Sequence, residues 1–174
     1  YATPTLQGGA VRASLTSGQP LTLVDARPDG EYAFLSVQGA GNHAGTELAL
    51  RDWSAGAAPG APWVVNCFSR TRGIIGATTL RLLGHPEVYF LEDGVMQWAL
   101  DGAPVVQNAQ PAMDLPAASD EELSRRASGQ IERFELPVVD ADRLRRRSSA
   151  SRRAARSAGD PPPGPCCCRC RRTP

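Results

Sequence analysis

The sequence predicts an α/β architecture, a parallel sheet covered by helices on both faces. Three observations lead there. Residues 21–25, 63–66 and 88–91 are short apolar runs without polar alternation, as in strands buried on both sides. Each run is followed by a turn-rich segment and then by a stretch with helical spacing, the alternation expected of βαβ units. The chain of 174 residues is 41% hydrophobic and 21% charged. That is enough for one domain whose core needs neither disulfide nor metal, with residues left over.

The elements follow in order along the chain. Residues 4–16 start at Pro4-Thr5-Leu6 and continue as a weak helical stretch ending near Gly18. Residues 21–25 are a strand, and Arg27-Pro28-Asp29-Gly30 is the turn after it. A helical turn is expected over 31–35, a Gly-rich loop over 39–45, and a short helix over 46–53 with Leu48 and Leu50 inward. Residues 55–62 are a connection of Ala, Gly and Pro. Residues 63–66 form the second strand, with Cys67 at its C-terminal end. Residues 71–83 carry Ile74, Ile75, Thr78 and Leu82 near helical spacing, and Gly84 closes that helix. Residues 88–91 form the third strand, Asp93-Gly94 a turn, and 95–100 a short helix carrying Trp98. Gly102-Ala103-Pro104-Val105 ends the domain, which covers about residues 4–106. Residues 107–136 hold few large apolar side chains and read as a partly helical linker. Residues 137–144 faintly echo the opening of the chain, as the start of a truncated second repeat would.

Charge and cysteine both divide the chain. Residues 1–110 hold six Arg against nine Asp and Glu, a net −3, and residues 111–174 hold thirteen Arg against nine, a net +4. Residues 145–174, rich in Arg, Ser, Pro and Cys, have too little apolar content to fold alone and are expected to be a disordered tail. The Arg/Ser run carries no interleaved aromatic for stacking on bases, so no nucleic-acid partner is expected. Cys166, Cys167, Cys168 and Cys170 lack the spacing of a zinc site, and no metal is expected. His43 and His85 stand in separate loops and read as surface residues. No apolar run reaches the length of a membrane span, so no membrane partner is expected. The chain opens on Tyr1 without a charged-then-apolar leader, which reads as a processed product or fragment. A lone Cys in the apolar part points to a reducing compartment, the cytoplasm.

The sharpest local feature is Cys67-Phe68-Ser69-Arg70-Thr71-Arg72-Gly73, set between a strand and a helix N-terminus. Backbone N–H groups and the positive end of the helix favour an anion there, and Arg70 and Arg72 add charge. A thiolate stabilised in this way is a nucleophile that needs no general base, and the same N–H groups can hold an anionic sulfur beside it. The competing reading is an inert core cysteine, which two arginines within five residues make the weaker choice.

These residues, with two other segments, resemble the rhodanese family of sulfurtransferases. Leu23-Val24-Asp25-Ala26-Arg27 followed by Glu31-Tyr32 is similar to the family's "DVR…EY/EF" segment. Val64-Val65-Asn66-Cys67 and the loop to Arg72 are similar to its active-site loop. Leu91-Glu92-Asp93-Gly94-Val95-Met96-Gln97-Trp98, then Gly102-Ala103-Pro104-Val105, is similar to its closing "GG…W…G.PV". Cys67-x-x-Arg70-Thr71-Arg72 with Ile74-Ile75-Gly76 looks most like the form found in bacterial proteins with several rhodanese repeats, so further repeats in a parent protein are implied.

The resemblance implies a three-layer domain with a parallel five-stranded sheet. It implies that Cys67 takes a sulfane sulfur from a small anionic donor such as thiosulfate and passes it, as a persulfide and without a cofactor, to cyanide, a thiol or a protein acceptor. Arg72 and Arg70 would attract the donor, Phe68, Ser69 and Thr71 would shape the loop, and Asp25 and Arg27 would support it from beneath. An ordinary strand-end ion pair is the alternative for the last two. The chain departs from the family at Phe68, where many members have Arg, at Ser69 in place of Gly, and at Gly73 in place of Ser. The common "GHIPGA" stretch is replaced by residues 35–41. Two other functions stand beside sulfur transfer: a non-catalytic sulfur carrier or regulatory binding module, and a Cys-based phosphatase. The phosphatase reading is weakened because Gly73, not Arg, is the sixth residue after Cys67.

Overall fold

In chain order the elements are β1 (Thr5–Leu6), α1 (Gly8–Ser17), β2 (Thr22–Asp25), α2 (Asp29–Phe34), β3 (Ser36–Val37), β4 (Gly41–Asn42), β5 (Trp63–Asn66), α3 (Thr71–Leu82), β6 (Val88–Leu91), α4 (Gly94–Leu100), β7 (Val105–Val106) and α5 (Asp120–Arg133). Two 3₁₀ turns lie at Leu48–Leu50 and Trp53–Ala55. The computed structural model describes residues 3–45, 47–55, 60–110 and 115–146. It divides into residues 1–130 and 131–174.

The sheet of the first unit runs β1-β6-β5-β2-β4 with every pair parallel, and β3 and β7 form a separate antiparallel ribbon. This is the α/β architecture expected from the sequence, with the five parallel strands that the resemblance implies. Alternate residues of the central strands feed two cores. Val24, Val65 and Phe90 face α3 with Leu48, Trp53, Ala77 and Leu80. Leu23, Val64 and Leu91 face Val11 of α1, Tyr32 of α2, and Val95 and Trp98 of α4. Because side chains alternate across a strand, both cores can be apolar only if the strands are apolar throughout.

Several local expectations are corrected. Residues 4–16 do not begin as helix: Thr5 and Leu6 pair with Phe90 and Leu91 as an edge strand before α1 starts. Residues 39–45 are not all loop, because Gly41 and Asn42 pair with Val24 and Asp25. Neither residue favours a strand, but the Asn42 side chain donates to Asp25 O (3.0 Å) and Arg27 O (2.7 Å), which ties the segment to the edge of β2. Leu48 is buried, but Leu50 is 51% exposed, since a 3₁₀ turn cannot aim both inward. The inner face of α3 is Gly73, Gly76, Ala77 and Leu80, and Ile75 is 56% exposed. The helix lies so close to the sheet that a Cβ on Gly76 would stand 2.8 Å from Leu48 Cδ1 and 3.0 Å from Val65 Cγ1. Gly84, at φ +100°, ends the helix with Gly84 N donating to Arg81 O and His85 N to Leu80 O. His43 is buried against Trp53 in an edge-to-face contact at 5.8 Å rather than lying at the surface.

Within the stretch read as a linker, Leu115 is 2% exposed and belongs to the α3-side core. Asp52 N donates to Pro116 O and Ala118 N to Leu50 O. On α5, Arg126 donates to Ala49 O (2.9 Å) and Arg51 O (3.0 Å), and Gln130 to Leu82 O (2.8 Å). In the second unit, residues 141–146 are helical, with Arg143 N donating to Asp140 Oδ1, and 135–140 carry no strand. The tail from residue 147 onward, with Cys166, Cys167, Cys168 and Cys170, lies outside the described residues. Among the described residues no helix is long and apolar enough to cross a membrane, and no group of His, Cys, Asp and Glu is arranged to hold a metal ion.

Candidate active site

The site forms where β5 ends. Cys67 follows Asn66 directly and is 2% exposed, with its thiol free. The loop after it is held from the side by the start of α4. Val95 N donates to Cys67 O and Met96 N to Phe68 O, both at 2.9 Å. Asp93 and Gly94 take left-handed backbone angles, φ +53° and +59°, to bring α4 this close. A Cβ on Gly94 would stand 2.3 Å from Cys67 O and 2.8 Å from both Phe68 O and Ser69 O. Only glycine fits there.

This contact sets the electrostatics of the loop. The carbonyls of Cys67, Phe68 and Ser69 crowd towards Gly94. In a planar trans peptide the following N–H points the opposite way. The amides of Phe68, Ser69 and Arg70 therefore face away from α4, and those of residues 71–73 belong to the unpaired first turn of α3. Among the described residues, none of the six N–H groups from 68 to 73 finds an acceptor. Gly73 lets this turn lie against β5, where a Cβ would stand 3.4 Å from Val65 O. A row of unpaired amides at a helix N-terminus, beside a buried sulfur, can hold a thiolate or a bound anionic sulfur.

The charged side chains of the loop have partners from other elements. Arg70 Nε donates to Asp93 Oδ1 at 2.6 Å. Arg72 grips Glu31 of α2 with two bonds of 2.7 Å. Its hydrogen bonds hold the Glu31 carboxyl below the usual carboxylate range, and the carboxylate in turn raises the Arg72 guanidinium, which the thiol of Cys67 also influences. Phe68 is 46% exposed at the mouth, Ser69 is half-buried, and Thr71 faces solvent.

Beneath the loop lies a buried polar network. Arg27 donates to Asp25 from Nε and Nη2, and from Nη2 to Leu35 O at 2.5 Å. Asp25 also accepts from Asn66 Nδ2 at 2.8 Å. Both members of the ion pair are almost wholly buried, so removing either would strand a charge. Asn66 connects the pair to the residue before Cys67.

The fold thus brings Cys67, Phe68, Ser69, Arg70, Thr71 and Arg72 into one loop, with Asp25 and Arg27 below it. Sequence reasoning missed Glu31, Asp93, Asn66 and Gly94 as parts of the site. Glu31 and Asp93 lie inside motifs legible in the sequence, but nothing local shows that they pair with arginines 41 and 23 residues away.

The arrangement has counterparts. A family model described as Rhodanese-like domain matches residues 9–101. The thiosulfate sulfurtransferase of Pseudomonas aeruginosa is similar with a TM-score of 0.73 and 29% identity, over 84% of this chain and 28% of its own. The chain therefore spans 28% of the length of that protein. A rhodanese-related protein of Thermoplasma volcanium shares the fold, with a TM-score of 0.51 and 22% identity over 59% of this chain and 97% of its own. So does the rhodanese-like domain of an Anabaena protein, with a TM-score of 0.55 and 20% identity over 79% of this chain and 92% of its own. No curated protein matches the chain in sequence. The family match runs from the first helix to the end of α4 and takes in every loop residue described above, and on that basis the chain belongs to the rhodanese-like domain family.

Proposed function

We propose that the chain is a sulfurtransferase that works through a persulfide on Cys67. The family and the similarity to a thiosulfate sulfurtransferase support a function of this type. The observation that carries the specific reading is the row of six unpaired N–H groups beside a buried thiol. The Cys67 thiolate attacks the outer sulfur of a small anionic donor such as thiosulfate. A new S–S bond forms, the donor's S–S bond breaks, and sulfite leaves with the electron pair. The loop amides then hold the anionic persulfide, as oxyanion donors hold a developing charge. An acceptor such as cyanide, a thiol or a protein cysteine attacks the outer sulfur, and the pair returns to Cys67. No cofactor enters this cycle. Arg72 supplies the cationic attraction for the donor, and Asp25 and Arg27 keep the strand end and loop in register.

The test is the intact mass of the protein after thiosulfate, then after cyanide. One sulfur atom should be gained and then lost, and Cys67→Ser should gain none. A folded wild type with a free thiol and no adduct overturns the reading in favour of a binding or carrier module. A phosphatase is disfavoured by loop length, because a phosphate cradle of the Cys-x5-Arg kind needs an arginine where this loop has Gly73.

A further inference from the structure

A cavity adjoins the loop. Ala26 and Pro28 after β2, Ala44 and Gly45 after β4, and Arg72 and Ile75 on α3 enclose about 270 Å³. Five of these six residues offer only carbon side chains or none, and Arg72 is the single charged group. The cavity lies one strand across from the thiol, since Ala26 N donates to Asn66 O next to Cys67. Ile75 leaves 56% of its surface exposed there although it sits on a core-packed helix. Glu31 takes two of the guanidinium's five N–H donors, so among the described residues three remain for a second anion. Arg72 lines the apolar recess and belongs to the same loop as Cys67, so sulfur, cation and recess offer a ligand three kinds of contact: to a sulfur, to an anionic group and to an aliphatic body.

We propose that this cavity is a subsite for a mercapto acid with an aliphatic tail, its carboxylate on Arg72 and its tail among Ala26, Pro28, Ala44 and Ile75, acting as the sulfur acceptor. The proposal rests on the persulfide reading above and names its acceptor class. The proposal requires a thiol on the carbon next to the carboxylate to reach Cys67 while the carboxylate is on Arg72. Its thiolate attacks the outer sulfur of the persulfide. The new S–S bond forms on the acceptor, the bond to Cys67 Sγ breaks, and the pair restores the Cys67 thiolate. No oxidant or reductant is consumed.

The experiment compares acceptors with thiosulfate as donor: mercaptoacetate, which has no tail, and the alpha-mercapto acid of hexanoate, which has one. Burial of the tail should raise kcat/KM about tenfold or more. Ala44→Phe, which fills the recess, should bring the ratio between the two acids close to one. Ile75→Asp, at an exposed helix position, repeats the test if Ala44→Phe does not fold. Equal kcat/KM for the two acids, or a preference that survives both substitutions, overturns the proposal. Wild-type turnover with cyanide is measured alongside and reports on the persulfide reading separately. If that turnover is absent, hexanoate itself is titrated. Saturable amide shifts at Ala44, Gly45 and Ile75 support the subsite, and their absence overturns it.

Discussion

On the proposed reading Arg72 would carry two duties at once, drawing in the anionic donor while it is held by Glu31. Replacing it with Ala removes a charge-assisted hydrogen bond to the donor, and the thiosulfate KM should rise about tenfold or more, since such bonds contribute roughly 1.5–3 kcal/mol. An unchanged KM, measured by initial rates, would remove Arg72 from donor binding. The Glu31 pair also makes an acid-sensitive contact. Its folded carboxyl is lowered, chiefly by hydrogen bonding to Arg72, so the folded protein binds this proton less readily than the unfolded chain. The pair's contribution is therefore fully present above the ordinary carboxyl value of about 4.3 and is lost as pH falls through the lower folded one. The effect is small because both side chains are half-exposed. In acid titrations of stability, Glu31→Gln should flatten the profile below that value, and an identical slope would show the pair to be inert.

At the scale of elements, the meeting of α4 with the loop is the decisive junction. Gly94 is the pivot, and alanine there meets two costs. A left-handed backbone costs a residue with a Cβ about 1–2 kcal/mol, and the added carbon would stand 2.3 Å from Cys67 O, so the loop must shift. Gly94→Ala should therefore lower the melting temperature and abolish most sulfur loading, followed by thermal denaturation and intact mass. Full loading would show that the loop keeps its amides aligned without this contact. The α3 junction works on the same principle: Gly73 and Gly76 let the helix approach the sheet until its first turn lies beside the end of β5.

Across the whole molecule, the family match ends at residue 101 but the first unit continues. Leu115 completes the α3-side core, and α5 is held by Arg126 and Gln130 on backbone carbonyls rather than by apolar burial. No residue of α5 is buried, so a stretch that reads as a partly helical linker gives no sign in its sequence that it docks on the domain. Leu115→Ala should cost roughly 2–5 kcal/mol in denaturant unfolding, as for other buried leucines. A loss below about 0.5 kcal/mol would mean that this stretch only rests on the domain.

The sequence by itself determines the central strands, the fold class and the position of one cysteine at a strand-to-helix junction. Continuous apolar runs such as Trp63-Val64-Val65 have only one stable destination, between two layers of helices. What it leaves open is whatever depends on residues far apart meeting in space. The strand at Gly41–Asn42 exists because β2 offers an unpaired edge, and α3 buries its glycines because the sheet comes close enough to exclude larger side chains. Arg70 and Arg72 read as bare charges in the sequence; the tertiary structure assigns them Asp93 and Glu31. The orientation of the loop amides is likewise a product of α4 docking through Gly94, since peptide planes turn with the contacts that hold them and not with the residues they join.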